Sequence, residues 1–507
     1  MRNGFLASLA GLLAGSALTL AQSPPPAGPA PSDAAPKAAA PGPLDAGVTA
    51  SGPISAVPAG WASDICPSPY GGCARPTSGC TGCGAGGHAP DCLSAEPQPT
   101  PYLPRSCPTG PDCAPQCGGL HWPEHVCAPD LYITGGGQYL AWWIKNDTVS
   151  VPVVSTNPAA LPILGQPGTT VALGNESISY NQFSGARFLL DFWHDSSREQ
   201  GVEATFFGLA QRQLTFKVSS DAGGNPAIGV PFSDALTGGQ ERVSLASFPG
   251  AFAGGVSMQT HSDLWGVEGN LLCKADLWSD RQSYVWFVAG FRYLDLSEDI
   301  GIQQQSAILP GGAAMLASGA FANLQGGLSG PPPGQLAPNQ IVISDQFRTR
   351  NQFFGGQFGL RAERQFGDAF IVMDAKLGVG DNIETIKIVG ATAFTPASPT
   401  NNLPAGLFAA TSNTGKYTHS SFAVVPQIGL QAGYYLTPHI RGYVGYDFLE
   451  WTEVIRPGEQ LDRDINRAGV PSSLLFGQPG GPATPVLVRH ETDFWAQGIS
   501  FGLDFTY

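Results

Sequence analysis

Hydrophobic and polar residues alternate through much of the chain from position 131 onward, and the last strand-like stretch shows the pattern most plainly. Trp495, Ile499, Phe501, Leu503, Phe505 and Tyr507 fall on one face, and Ala496, Gly498, Ser500, Gly502, Asp504 and Thr506 on the other. A period of two identifies a β-strand. A large uncharged side opposite a side of glycine, hydroxyl and carboxylate suits a strand with lipid outside and a polar lumen inside. Ten such segments are predicted, at about 131–143, 182–193, 201–211, 259–273, 281–296, 347–364, 369–389, 417–434, 438–451 and 491–507.

The connections follow a pattern of their own. Short links near 193–201, 274–280, 365–368 and 437–438 alternate with long ones near 144–181, 212–258, 297–346, 390–416 and 452–490, which are rich in Gly, Pro, Ser and Asn. All short turns therefore lie at one end of the sheet and five long loops at the other, the asymmetry of an outer-membrane barrel with periplasmic turns and extracellular loops. The predicted fold is all-β: an antiparallel transmembrane β-barrel of about ten strands. An even strand number places both ends of the barrel domain on the turn side.

The faces sort consistently. Ile371, Met373, Ala375, Leu377 and Val379 oppose Asp374, Lys376, Gly378 and Gly380; Phe354, Phe358, Leu360 and Ala362 oppose Gln357, Gly359, Arg361 and Glu363. The inward set contains Arg187, Asp191, Glu203, Glu268, Arg361, Glu363, Asp374, Lys376, Arg441, Asp447 and Asp504. Such charges in a narrow lumen must pair or stay wet. They read either as a structural network filling the barrel or as a selectivity lining. About eight strands make a barrel that side chains just fill, and 16–18 leave an aqueous channel, so ten strands argue against a wide pore. The first and fifth segments do not divide into clean faces, with Trp286, Phe287, Val288 and Phe291 spread over both sides of the fifth. Trp142, Trp143, Trp193, Trp278 and Trp451 stand near segment ends and read as interfacial belts.

Composition agrees with a membrane β-protein. Only 13% of 507 residues are charged, glycine numbers 66, and no apolar run after the N-terminus reaches the length of a spanning helix. Residues 1–21 read as a cleaved export signal, with Arg2, an apolar stretch from Phe5 to Leu20 and a small-x-small site at Thr19–Ala21. Residues 22–60, with 10 prolines and 11 alanines, read as a disordered linker. The formal charge of −14 argues against nucleic acid as a partner.

Residues 61–130 form a cysteine-rich region holding Cys66, Cys73, Cys80, Cys83, Cys92, Cys107, Cys113, Cys117 and Cys127. Behind an export signal, disulfides are the default expectation. Metal binding is weakly signalled, because Cys80–Cys83 is a single half-site beside His88, His121 and His125. No metal or cofactor is therefore expected. Nine is odd, so one thiol stays free, pairs with Cys273, or bridges to another chain or the cell wall. With the barrel at 131–507, the linker and this region would hang on the periplasmic side.

Gly137-Gln-Tyr-Leu-Ala-Trp-Trp-Ile-Lys-Asn146, Val151-Pro-Val-Val-Ser-Thr156, Gly290-Phe-Arg-Tyr-Leu-Asp-Leu296 and Phe501-Gly-Leu-Asp-Phe-Thr-Tyr507 resemble the putative beta-barrel porin-7 family of bacterial outer-membrane proteins. The resemblance implies a pore by name and supplies no catalytic residues. His261, His419 and His490 lie at loop-side strand ends, where a surface hydrolase would place its site, but consecutive strand residues point to opposite faces and make no triad. The expected protein is a non-enzymatic outer-membrane barrel, structural or surface-presenting through its long loops, with a passive channel as the alternative. Its expected partners are outer-membrane lipid and the barrel-assembly machinery.

Overall fold

The computed structural model describes residues 132–194, 197–275, 282–310, 312, 339–395 and 402–507. The export signal, the Pro/Ala linker, the cysteine-rich region with its nine cysteines and Trp278 lie outside the described residues. Among the described residues no helix is long and apolar enough to cross a membrane.

Among the described residues seventeen strands follow one another in chain order. They are β1 (Tyr132–Ile144), β2 (Asp147–Asn157), β3 (Thr170–Ile178), β4 (Phe183–Trp193), β5 (Gln200–Leu209), β6 (Arg212–Ser219), β7 (Ala227–Asp234), β8 (Gln240–Ser247), β9 (Phe252–Lys274), β10 (Ser283–Ile308), β11 (Gln340–Phe366), β12 (Ala369–Thr395), β13 (Asn402–Leu403), β14 (Gly415–Thr437), β15 (Ile440–Ile455), β16 (Asp464–Ile465) and β17 (Glu491–Thr506). Ten of them close into a ring of antiparallel neighbours, β1-β4-β5-β9-β10-β11-β12-β14-β15-β17, with β17 returning to β1. These are the ten predicted segments. The last strand closes the barrel on the first, Thr134 opposite Thr506 and Ile144 opposite Ala496.

Short turns gather at one end. Gly367 and Asp368 alone join β11 to β12, and Gly367 takes φ 65°, a conformation glycine adopts without steric cost. The alternation places Phe358, Phe422, Phe501 and Phe505 on the outer surface, each more than half exposed. That band is the lipid-facing surface of the barrel. It ends toward the loops in an aromatic cluster in which Tyr293 meets Trp265 at 5.1 Å and Phe354 at 4.8 Å between ring centres. Three of the tryptophans read as belt residues are corrected here: Trp142, Trp193 and Trp451 are almost fully buried, whereas Trp143 points outward. One residue along a strand reverses the face, so position near a strand end did not decide orientation.

Several strands run well past the segments read from the sequence. β9, β10, β11 and β12 have 23, 26, 27 and 27 residues, against the 9–11 that cross a bilayer. Beyond Tyr293 and Phe354 the outer face turns polar, with Asp295, Asp299, Arg348 and Arg350, while backbone pairing continues unbroken to Ala307 opposite Gln340. Pairing is a backbone property and the apolar face a property of the solvent, so the pattern stopped where the lipid does. β6 carries the line of β5 upward by pairing with β9 from Ser262 to Gly255.

The long loops are folded. β2, β3, β7, β8 and β16 form a second sheet at the loop end, in which β7 pairs with β2, β8 and, in parallel, β16. Here sequence reading saw only loop. Pro152 and Gly174 sit where the β2–β3 register shifts, and such breaks erase the period of two. The buried Val149, Val154, Ile228, Val230, Phe232, Val243, Leu245, Phe408 and Ile465 of these loops belong to one core with residues of the barrel wall.

Candidate functional site

Side chains on the inner faces of the ten strands converge in the half of the barrel nearer the turns. All eleven charged residues assigned to the lumen from the sequence line one cavity there. The free space left between them is about 80 Å³, room for a few water molecules.

Some ion pairs join neighbouring strands and others cross the lumen. Arg187 on β4 meets Asp447 on β15 at 3.0 Å, and Arg361 on β11 meets Glu203 on β5 at 2.6 Å and Asp374 at 2.7 Å. Lys376 on β12 reaches Glu268 on β9 at 2.6 Å, while Arg441 on β15 bonds Asp504 at 2.8 Å and Glu363 on β11 at 3.3 Å. Asp191 lines the same cavity, buried and without an ion pair to any described residue. Charges taken out of water persist when paired and hydrogen-bonded, and the neutral residues complete that condition. The Gln138 amide donates to the Tyr443 hydroxyl at 2.9 Å, and that hydroxyl donates to Asp504 at 3.0 Å.

Small residues leave the room. A Cβ on Gly136 would stand 2.2 Å from a carboxylate oxygen of Asp504, and one on Gly502 would stand 2.3 Å from the Tyr443 ring. The glycine-rich inner face thus gives room to bulky and charged side chains of the neighbouring strands.

Sequence reading missed several members of this network. Arg292, fully buried, donates to Glu268 at 2.8 Å. It belongs to the fifth predicted segment, whose two faces are both bulky, and the usable signal was the alternation Gly290, Arg292 continued from Trp286. Asn270 was missed too; it donates to Glu203 at 2.8 Å, while Gln357, already placed on an inner face by the alternation, donates to Glu268 at 3.0 Å. Tyr443 was hidden because an aromatic residue on an inner face resembles an outward one.

Above the charges the interior becomes apolar. Leu140, Trp142, Phe183, Phe207, Leu264, Leu294, Phe353, Val425, Leu449 and Ala496 come from nine of the ten strands, and all are buried in one cluster. On the tenth strand stands Gly378, where an added Cβ would meet the Phe353 ring at 3.5 Å. These side chains join in one buried cluster inside the barrel. Beyond it the loops pack against further inward residues such as Ile300, Ile343, Phe347 and Ile388.

A charged cluster is set within this upper core. Arg456, leaving β15, donates to both oxygens of Glu298 at 2.8 and 2.6 Å and to the carbonyls of Lys145 and Asn146, each at 2.7 Å. Asp147 lies 3.9 Å from the same guanidinium, fully buried. Burial pushes the Asp147 carboxyl up to about 7, with Arg456 opposing and Glu298 adding to the rise. The nearby Tyr180 hydroxyl is raised as well, by burial first and then by Glu298.

The three histidines do not assemble a catalytic centre. His261 faces outward on β9 and pairs with Asp299 of β10, and His490 is exposed with Nδ1 2.9 Å from Glu459. His419 stands on β14, and none of the three lines the lumen cavity.

Comparison with solved structures returns outer-membrane proteins. The outer membrane protease OmpT from Escherichia coli is 11% identical over 76% of this chain and 99% of its own, with a TM-score of 0.32. A Pseudomonas aeruginosa FadL homologue is 10% identical over 74% and 90%, with a TM-score of 0.14. The P. putida toluene transporter TodX is 11% identical over 75% and 90%, with a TM-score of 0.15. The closed ring of ten strands, rather than these likenesses, establishes the barrel. No curated protein matches the chain. The model of one family, Putative beta barrel porin-7, matches residues 137–321 and 329–507, and with its ten-stranded barrel the protein belongs to that family of outer-membrane proteins.

Proposed function

We propose that this outer-membrane barrel is sealed and serves to present a folded β-structured cap at the cell surface. The observation that carries this reading is the apolar storey, with Leu140, Phe207, Leu294, Phe353 and Leu449 meeting across the bore above a lumen already bridged by ion pairs. An ion or sugar crossing it would shed its water largely against hydrocarbon, and Asn382, opposite Phe353, is already bonded to the Glu453 carbonyl. Conduction through the bore would require the cap core and the storey to part together. The protein's work then lies in its loop-end surface, and the eleven lumen residues act as internal bracing.

Purified protein in planar bilayers is expected to show no steady conductance, and stable, reproducible channels from the intact chain would overturn the sealed reading. Surface presentation has a separate test. Protease added to intact cells should cut within 210–251 or 456–490, whereas cleavage at the 194–199 or 275–282 turns would reverse the orientation.

A further inference from the structure

The outer faces of β9 to β14 continue past the lipid-facing band, and their register sets His261, Asp299, Arg348, Lys387 and Lys416 side by side on five adjacent strands. Asp299 takes His261 and Arg348 as its partners. Lys387 and Lys416 are exposed, directly opposite each other, and have no ion pair among the described residues. Like charges facing one another across strands cost stability. In a chain with a formal charge of −14, this row is a local inversion that an anion would relieve.

The next step along the same strands, farther from the band, is a groove of about 220 Å³. Gln259, Gln303, Ser344 and Gln346 supply amide and hydroxyl groups to it, and Gly301 between them has open space where a side chain would stand. Such groups both donate and accept, as sugar hydroxyls do. The height is informative. From Phe354 to Arg348 is six residues, which at about 3.3 Å per residue and a tilt of about 40° puts the cations roughly 15 Å beyond the aromatic edge. A simple phospholipid keeps its phosphate near that edge, whereas a head group carrying sugars reaches farther.

We propose that this wall binds the phosphorylated sugar head of a glycolipid in the surrounding leaflet, with acidic groups on Lys387 and Lys416 and sugar hydroxyls in the glutamine–serine groove. In the membrane this rests on the loop end lying at the cell surface. Binding in detergent does not depend on orientation, so the two ideas fail separately.

The purified full chain would be titrated in detergent with rough-type lipopolysaccharide, phosphatidylglycerol and glucosamine phosphate, with complexes read by native mass spectrometry. Lipopolysaccharide should bind in a salt-sensitive manner, and K387Q/K416Q should weaken it at least tenfold. Gly301→Trp, filling the groove while sparing the lysines, should weaken it similarly, with circular dichroism and heat-modified gel mobility confirming that both variants fold. Equal binding of phosphatidylglycerol, equal binding of the soluble sugar phosphate, no lipopolysaccharide binding, or an undiminished K387Q/K416Q complex would each overturn the proposal.

Discussion

Arg456 and Glu298 face each other inside the loop end of the barrel with both guanidinium–carboxylate contacts made, at 2.8 and 2.6 Å, although 158 residues separate them in the chain. The same guanidinium holds the carbonyls of Lys145 and Asn146, where β1 gives way to the first cap strand. One side chain thus joins the barrel wall on two sides to the base of the cap. Removing one partner strands the other charge in a dry site, so Arg456→Met is expected to cost about 3–5 kcal/mol. Unfolding in detergent at about pH 5, where Asp147 is protonated, should show R456M well below R456M/E298L, whose paired apolar replacement leaves no orphaned charge. A double variant as unstable as the single would contradict this.

Asp147 gives the cap a pH dependence of definite sign. Its ordinary value is 3.8 and burial pushes it up to about 7, so the folded protein holds a proton there that the unfolded chain has released. The stabilisation is complete below about pH 4 and is lost as pH rises through 7. Against the background of other titrating groups, Asp147→Asn should remove a decline in stability between pH 4 and 8. Parallel pH profiles for the two proteins would refute the assignment.

The apolar storey should be costly to thin. Phe353 is fully buried and meets the Trp451 ring edge-on at 6.3 Å. Phe353→Ala is expected to lower stability by about 3–5 kcal/mol, from lost burial and the cavity left behind. Equilibrium unfolding by urea in detergent would measure it.

The lipid face can be probed by parity. Phe358 is 55% exposed on β11, and its neighbour Gln357 faces the lumen with Glu268. Phe358→Arg should cost about 2–4 kcal/mol if the residue sits near the bilayer midplane. An exposed position of a soluble sheet would tolerate the same change, so a near-neutral result would argue against the band.

Lumen bracing predicts an asymmetry between stability and conduction. Arg361 neutralises both Glu203 and Asp374, and Arg361→Gln leaves two buried carboxylates without their cation. A loss of about 3–5 kcal/mol is expected while bilayers remain silent, because the storey above is untouched. Channel activity in R361Q would mean that the charges, and not the hydrocarbon, are the seal.

The ten barrel strands and the inward position of the eleven lumen residues were legible in the sequence because a strand between lipid and water must alternate, and each residue carries its own evidence. Asp504 and Phe505 need no knowledge of other strands to be sorted. The partners of Asp504 were not legible. Arg441 and Tyr443 reach it only because β15 lies beside β17 in a register that sets Arg441 opposite Asp504. The upper halves of β9 to β12 were equally silent, since their outer faces meet water and their inner faces meet the cap, and neither boundary imposes the lipid pattern.

The sequence by itself determined the class of the protein, its strand number, the end that carries the long loops and which charges turn inward, because those properties follow from the solvent on each side of a single strand. Tertiary structure decided that the loops fold into a second sheet, that Trp142, Trp193 and Trp451 point inward, and that apolar side chains of nine strands gather in one buried cluster inside the barrel. That cluster depends on Leu140, Phe207, Leu294, Phe353 and Leu449 coming together from five different strands. Their meeting is set by strand register and barrel shear, which no one segment of the chain contains.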